Sequence, residues 1–205
     1  MMTIAHIRHD IDTTDEFYNG EKEYYDEIQP KLANLTVEYQ RGMYESPYRS
    51  YLEGKIGKVA FKNIELQLKS FDEKLIPLMQ EENALTTKYD KLIASAEIEW
   101  EGEILNLSLL KPYLTSSDRN VRKRAYEKYS AYFTSVAEEL DDIYDKLVKN
   151  RTEQAKQMGY ENYVELGYYR MNRNCYDKGM VENYRRQIKE YFVPFAERMH
   201  ERRRK

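Results

Sequence analysis

The chain has 205 residues, which is long enough to bury a real core in one large domain or two small ones. Its formal net charge of -3 leaves no overall attraction to nucleic acid or to an anionic membrane, so we expect neither as a partner. The single cysteine excludes an internal disulfide framework, and the low content of glycine and proline favours helices over a turn-rich β fold.

The N-terminal sequence contains no apolar run of the kind found in a secretory signal peptide. The longest apolar stretches, such as residues 75–79, are far too short to cross a bilayer. A lone cysteine also fits a reducing compartment. We therefore expect a cytoplasmic protein with no membrane partner.

The first predicted helix begins at Thr13, because residues 13–16 have the capping-box form in which a Thr hydroxyl and a Glu three residues later satisfy free backbone donors. Pro30 lies inside this helix and is expected to kink it. Large apolar residues then recur at helical spacing, which predicts that one stripe faces a core. This stripe consists of Phe17, Tyr24, Tyr25, Ile28, Leu32, Leu35 and Tyr39.

The next helices follow the same logic. Ser46-Pro47 predicts the start of a short helix, with proline in the favoured first position. A second capping box at residues 70–73 predicts a helix that runs through Leu92. The helix between these two has a predicted apolar face of Ile56, Val59, Ala60, Ile64 and Leu68.

One segment departs from the helical period. The sequence AEIEWEGEILNL alternates between polar and apolar residues, and Glu101-Gly102 at its centre fits a two-residue hairpin turn. Pairing across that turn sets Ile98 opposite Leu105, with Trp100 on the same face. The sequence therefore predicts one small β-hairpin near residues 96–107 within an otherwise all-α fold.

The longest predicted helix begins after the Ser116-Ser117-Asp118 cap and continues to Gly159, which is placed to end it in the left-handed conformation. A shorter helix follows, and a last helix begins near Asp177 and contains Pro194. No repeat, low-complexity tract or Gly/Ser linker divides the chain. We therefore predict a single helical unit over residues 1–205.

Two histidine-containing motifs are candidates for metal binding. HIRHDID places His6, His9, Asp10 and Asp12 within seven residues, and histidines three apart on a helix can share a metal ion. The alternative, which is the more common outcome, is a helical segment leading into the Thr13 cap, with the acids near a helix start. No group in this motif forms a complete catalytic set.

The second motif is His200-Glu201, which begins like the H-E-x-x-H zinc helix of metallopeptidases. The second histidine would have to occupy position 204, where Arg204 stands. No third ligand follows. We therefore predict no catalytic, metal-binding or cofactor-binding residue in this chain, and neither zinc binding nor peptide cleavage by it.

The remaining candidates have simpler explanations. Cys175 would need a basic partner to act as a nucleophile, and a single structural thiol is far more common. The basic segment RMHERRRK fits a solvated helix end better than a nucleic-acid surface, because the tyrosines follow the predicted core stripes and not the arginines. The 20 tyrosines fit either amphipathic core faces or a substrate channel, and the pattern does not distinguish them.

The order of segments carries more information than any single motif. HIRHDIDTTDEFYNGEKEYYDEIQP is followed by FKNIELQLKSF, by the segment around the predicted hairpin, and by NRTEQAKQMGYENYVELGYYRMNRN. Together they resemble the helical N-terminal part of oligoendopeptidase F, a relative of thimet oligopeptidase and neurolysin. The resemblance extends over essentially the whole chain, and its last segment is the most specific.

The resemblance implies part of the helical shell of a zinc metallopeptidase that cleaves short peptides inside a deep channel. The zinc helix lies later in the family's chain, and no residue here matches it, so zinc is implied for the full-length family only. The resemblance also implies that residues are missing at both ends. The expected role is one wall of the peptide channel, inactive without the catalytic part of the chain.

A non-enzymatic helical module that binds a peptide or protein on the same scaffold remains an alternative. Either function leaves an apolar stripe to be covered. We expect self-association through the last helix, where Phe192 and Phe195 are the test positions. The apolar side of this helix consists of Tyr184, Ile188, Tyr191, Phe192 and Phe195.

Overall fold

The computed structural model describes residues 1–204, and helix accounts for 80% of the chain. This confirms the predicted all-α class with one hairpin. A 3₁₀ turn covers Glu73–Leu75 and a π-helical turn covers Ile188–Phe192. The α-helices are α1 Met2–Ile11, α2 Glu16–Tyr44, α3 Arg49–Ile56, α4 Lys58–Ser70, α5 Ile76–Ala94, α6 Leu107–Leu114, α7 Arg119–Ser135, α8 Ala137–Gln157, α9 Tyr163–Arg170, α10 Lys178–Gln187 and α11 Val193–Arg204.

The hairpin forms where the sequence predicts it. Strands β1 (Ile98–Trp100) and β2 (Glu103–Leu105) are antiparallel, and Ile98 pairs with Leu105 as expected. Glu101 and Gly102 both have positive φ, at 51° and 92°, which is the conformation of the favoured two-residue turn. The predicted register is therefore confirmed.

The chain forms two compact units, each built from two segments. The first, which we call unit 1, contains residues 1–39 and 71–163, and unit 2 contains residues 40–70 with the residues from 164 onward. The sequence predicted one helical unit, because no linker composition marks either boundary. The first boundary lies inside the continuous helix α2, where helical periodicity gives no sign of it.

Unit 1 is organised around two packed regions. The hairpin packs on α6 and α7, where Leu110 and Ala125 are fully buried and the Trp100 ring lies 4.8 Å from that of Tyr113. Elsewhere α5 and α8 lie side by side, and their interface buries Ile143 together with several polar residues. Both regions position the polar clusters described below.

In unit 2, α3 packs against α4, whose buried face includes Phe61 and Ile64. Leu166 of α9 is also fully buried. The Asn174 amide donates to the Asn63 side-chain oxygen at 2.6 Å, so residues far apart in the sequence meet within this unit. Within residues 1–204 no helix has both the length and the apolar character that crossing a bilayer requires.

Two predicted helix starts use a different residue from the one expected. The Asp15 carboxylate, and not the Thr13 hydroxyl, accepts from the backbone of α2, through Tyr18 N at 3.1 Å. Likewise Asp72, and not Ser70, caps the 3₁₀ turn by accepting from Lys74 N. In both places a carboxylate nearer the first turn takes the role, because Asp is as good a cap as Ser or Thr.

The predicted core stripe of α2 is wrong. Phe17, Leu35 and Tyr39 are each about two-thirds exposed, whereas the buried residues of α2 are Asp26, Pro30 and Val37. The α4 face is half correct: Ile64 is buried but Val59 is exposed. Apolar spacing locates an amphipathic face, but in α2 a polar group takes the buried position because it has partners there.

The predicted long helix from residue 118 to 159 is two helices that meet at Val136. Its start and end are as predicted: Asp118 caps α7 through Asn120 N, and Gly159 has φ 84°. The break follows Thr134 and Ser135, whose hydroxyls bond to helix carbonyls of the preceding turn. Such residues and the β-branched Val136 are poor in helix interiors, and this explains the interruption.

The last helix begins at the Asp177 cap, as predicted. Its middle is a π turn in which Val193 N bonds to Ile188 O. Pro194 follows directly. Proline cannot donate a hydrogen bond and its ring displaces the carbonyl four residues earlier, so the wider turn accommodates it.

Candidate functional site

The N-terminal histidines lie on one face of α1. His9 is fully buried, and its Nδ1 lies 3.2 Å from Oδ1 of Asp10. The His6 ring packs edge-to-face on Tyr25 of α2, with ring centres 6.3 Å apart. The Nε2 atoms of both histidines are buried and have no hydrogen-bond partner. The helical segment expected here as the alternative to a metal site is therefore present.

These residues do not fit a zinc site. No group of three His, Cys, Asp or Glu side chains within residues 1–204 is arranged to hold a metal ion. Asp12, a candidate ligand, accepts instead from the Thr14 hydroxyl at 2.6 Å and from the Thr14 backbone at 2.9 Å. The hydroxyl hydrogen bond is the main cause of the lowered pKa of Asp12. This carboxylate is thus part of the turn between α1 and α2.

Beside the histidines lies a buried polar trio that the sequence did not reveal. Oδ1 of Asp26 accepts from Lys22 Nζ at 2.6 Å, and its Oδ2 accepts from the Thr87 hydroxyl at 2.5 Å. Lys22 Nζ also lies 2.8 Å from Thr87 Oγ1. Asp26 is only 8% exposed, and these hydrogen bonds compensate for its removal from water. The sequence signal was a Lys and an Asp four residues apart inside an apolar stripe.

The pKa of His6 depends on its burial and on the charges of this trio. Burial lowers the pKa of His6 below its ordinary value of 6.5, and the Lys22 ammonium lowers it further. The carboxylates of Asp26 and Asp10 act in the opposite direction but do not reverse the shift. The neutral imidazole is therefore the favoured form in this environment.

A cavity of about 760 Å³ adjoins the trio on the side of α5 and α8. Asp26 and Thr87 line it, together with Ala84 and Leu92. Two ion pairs also border it, Lys88 with Glu139 at 2.9 Å and Lys91 with Glu23 at 3.6 Å. Because the charges that line this cavity are paired in these ways, its walls suit binding better than acid–base chemistry.

The most specific segment of the sequence forms a polar network between α5 and α8. Glu82 accepts from Arg151 Nε and from Gln154 Nε2, each at 2.8 Å. The Asn150 amide donates to the Leu78 carbonyl at 2.9 Å and to a Glu81 carboxylate oxygen at 2.7 Å. Asn150, Arg151 and Gln154 of this segment thus hold two helices together, and the Asn150 and Gln154 side chains are buried. Their role here is structural.

In unit 2, Arg173 is flanked by aromatic rings. Its guanidinium carbon lies 4.3 Å from the centre of the Tyr168 ring and 5.6 Å from that of Tyr176. Asn172 before it has φ 52°, a left-handed conformation that Asn tolerates better than most residues. Several of the tyrosines in this segment therefore pack on cations, which the sequence alone did not separate from a core or channel role.

The other candidates remain isolated. Cys175 is an exposed free thiol in unit 2. His200 and Glu201 are exposed on α11, with Arg204 one turn later in place of a second histidine. The described residues around them supply no three-ligand set. That no residue of this chain is catalytic stays a prediction.

Comparisons with known proteins agree with this architecture. The model of the peptidase M3 N-terminal domain matches residues 1–71, and the model of peptidase family M3 matches residues 112–205. None of the curated proteins compared with this chain matches it.

Three solved structures are similar over nearly the whole chain. An X-ray structure assigned as oligoendopeptidase F is 44% identical with a TM-score of 0.95, and it covers 100% of this chain. Pz peptidase A, solved with an inhibitor, is 45% identical over 100% of the chain with the same score. A protein assigned as oligoendopeptidase F from Bacillus anthracis is 41% identical over 98%, with a score of 0.94.

This chain spans only 36% of the length of the first two structures and 37% of the third. The two family models nevertheless match most of its residues. The chain belongs to peptidase family M3 and corresponds to the N-terminal part of its oligoendopeptidase F-like members.

Proposed function

We propose that this chain is the N-terminal helical region of a zinc-dependent oligoendopeptidase that hydrolyses short peptides. In this proposal it forms one wall of the peptide-binding channel and is inactive alone. The similarity to oligoendopeptidase F, at 44% identity over the full length of the chain, is the observation that carries it.

The exposed surface of the last helices supports a role within a larger assembly. Tyr184, Tyr191 and Phe192 are each more than 60% exposed, and no residue described in α10 or α11 is buried. A contiguous apolar face of this kind marks an interaction surface. The proposed occupant is the remaining part of the oligopeptidase fold, since the similar structures are almost three times as long as this chain.

Residues 1–204, which the structure describes, provide no donor set for the proposed zinc. The 205 residues contain no H-E-x-x-H sequence, and the described residues contain no group of three suitable side chains. Its ligands therefore belong to the remaining part of the enzyme. The contribution of this chain is to form a wall of the channel that binds the peptide, and not to supply the nucleophile or its base.

Fragment complementation tests the proposal. The chain is mixed with a fragment of the Bacillus anthracis relative that lacks the matched segment, in the presence of zinc, and cleavage of an internally quenched peptide is measured. We expect no cleavage by either part alone and cleavage by the mixture. Cleavage by the chain alone would overturn its predicted inactivity, and no complex on gel filtration would overturn the wall role.

A paired set of variants makes the test specific. Phe192→Ser with Phe195→Ser should reduce complementation, because both rings lie on the exposed apolar face. Tyr144→Ser is the control, since Tyr144 is equally large and 72% exposed but lies in unit 1. Equal losses in both variants would mean that the terminal face has no special part in assembly.

The cavity beside Asp26 and Thr87 favours a second candidate, a non-enzymatic module that binds a peptide or protein. Its volume of about 760 Å³ is within the range of small-ligand sites. Fluorescence polarisation with labelled short peptides distinguishes the two. Saturable binding by the chain alone, lost in Thr87→Val, combined with failed complementation, would favour the module.

A further inference from the structure

We propose that α1 is a pH-released latch, in which the neutral His6 imidazole holds the helix against α2, beside the buried His9, and protonation of His6 detaches it. The proposal concerns unit 1 alone and does not depend on the proposed peptidase role. It rests on how α1 is attached, on the surroundings of the two imidazoles, and on the charges that face them.

Helix α1 has few other attachments. It is 10 residues long and has no side-chain cap at its N-terminus. Three of its large apolar residues, Ile4, Ile7 and Ile11, are more than half exposed, and only Ala5 and His9 are buried. A helix this short is not stable in water without packing. Its order therefore depends on the face that carries the histidines.

The surroundings of the two Nε2 atoms offer no acceptor to an added proton. Nδ1 of His9 faces the Asp10 carboxylate, which leaves Nε2 as the atom that would take up a proton. Nε2 is buried in both His6 and His9 and has no acceptor in reach. A proton placed there creates a buried charged donor without a partner, which costs far more than a neutral lone pair.

The facing charges add to this cost. The Lys22 ammonium of α2 repels a cation on His6, and it also forms an ion pair with Asp26. Asp10 on α1 and Asp26 on α2 attract a cation, while His9 repels one. From α5, Asp90 interacts with Asp10, Lys22, His9 and Asp26 of the same region. Burial, followed by the charge of Asp10, raises the pKa of Asp90 despite the opposing effects of Lys22 and His9.

The direction of the pH effect follows from these shifts. The docked His6 has a pKa below 6.5, so its contribution to docking is complete above pH 6.5. It is lost as the pH falls from 6.5 to the docked pKa. Asp90 works the other way, because a raised carboxyl pKa makes the docked state take up a proton and favours docking in more acidic solution.

Hydrogen exchange followed by mass spectrometry tests the latch in the 205-residue chain. Protection of residues 2–11, corrected for intrinsic exchange rates, is compared at pH 7.5 and 5.5. For His6, each unit by which the pH falls between the ordinary and the docked pKa increases the open fraction by up to about tenfold. We expect loss of protection in α1 at pH 5.5 while α8 remains protected. Unchanged protection in α1 would overturn the proposal.

The third histidine provides a matched control. His6→Gln with His9→Gln should abolish the pH response, whereas His200→Gln should keep it, because His200 is exposed on α11. A response that persists in the double variant would contradict the latch. If that variant does not dock at pH 7.5, proton NMR of the unmodified chain decides: the His6 midpoint must lie below the ordinary value of 6.5, and a midpoint at or above 6.5 would overturn the proposal.

Discussion

Helices α8 and α10 both have amphipathic sequences, but their surroundings are opposite. Helix α8 buries Ile143, Asn150, Gln154 and Ala155 within unit 1. The described residues of α10 and α11 bury nothing, although polar and apolar residues are separated more sharply in α10 than in α8. An amphipathic pattern therefore indicates that a face is to be covered, but it does not indicate whether this chain supplies the cover.

Among the buried faces, the largest effect is expected where the hairpin packs on α6 and α7. Leu110→Ala should lower the free energy of unfolding by about 2–5 kcal/mol, because Leu110 is fully buried and the truncation leaves a cavity. Urea denaturation measures the loss. The neighbouring Leu109 is 57% exposed, and Leu109→Ala should change stability by about 0.5 kcal/mol or less. Equal effects at both positions would contradict the described core.

The polar part of the α8 interface comes next. Glu82→Ala should cost about 2–3 kcal/mol, because it removes a carboxylate that accepts from both Arg151 and the buried Gln154. The figure is moderate because the Arg151 side chain is 40% exposed. Thermal unfolding monitored by circular dichroism measures it. Glu153→Ala on the exposed side of α8 is the control, and a similar loss there would remove the significance of the network.

Substitutions on the exposed face of the last helices should change self-association and hardly change the free energy of unfolding. We expect the chain to self-associate through its last helices, so Phe192→Ser with Phe195→Ser should shift it to monomer. Each exposed ring should contribute about 0.5 kcal/mol or less to unfolding. Light scattering at increasing concentration measures the mass. A clean monomer for the unmodified chain at high concentration would contradict self-association.

The smallest effect concerns an exposed ion pair, in contrast to the buried Glu82 pair. The Lys69 ammonium donates to Glu65 at 2.7 Å and is the main cause of the lowered pKa of Glu65. This carboxylate thus favours folding above its ordinary pKa of 4.5, and the contribution is lost as the pH falls through the folded value. We expect it to contribute about 0.5 kcal/mol or less.

Carbon-13 NMR of the Glu65 carboxyl checks this last prediction. Lys69→Gln should raise the Glu65 pKa toward 4.5. Lys62→Gln should raise it less, because its hydrogen bond to Glu65 is longer, at 3.2 Å. A larger response to Lys62→Gln would show that the order of these two partners is wrong.

Local structure was the part that the sequence predicted best. The hairpin turn, the Asp118 cap and the left-handed Gly159 each depend on a few neighbouring residues, and all three are present. The core stripe of α2 could not be predicted in the same way. Asp26 is buried because Thr87, 61 residues away, hydrogen-bonds to it, and helical periodicity has no access to such a partner.

The candidate site shows the same limit. The sequence singled out His6 and His9, but the meaning of these residues depends on Lys22 and Asp90, which other helices bring near them. Asn150, Arg151 and Gln154 lie in the segment that is most specific for the family resemblance, but the sequence did not predict what these residues do. Their role required knowing that α5 lies alongside α8.

The division of unit 2 into two segments has a consequence for synthesis on the ribosome. The hydrogen bond of Asn63 with Asn174 cannot form until Asn174, which is 111 residues further along the chain, has been synthesised. At a typical translation rate this delay is on the order of ten seconds. Helices α3 and α4 therefore spend that time without the second segment of unit 2, and the surface that this segment contacts stays open in the nascent chain.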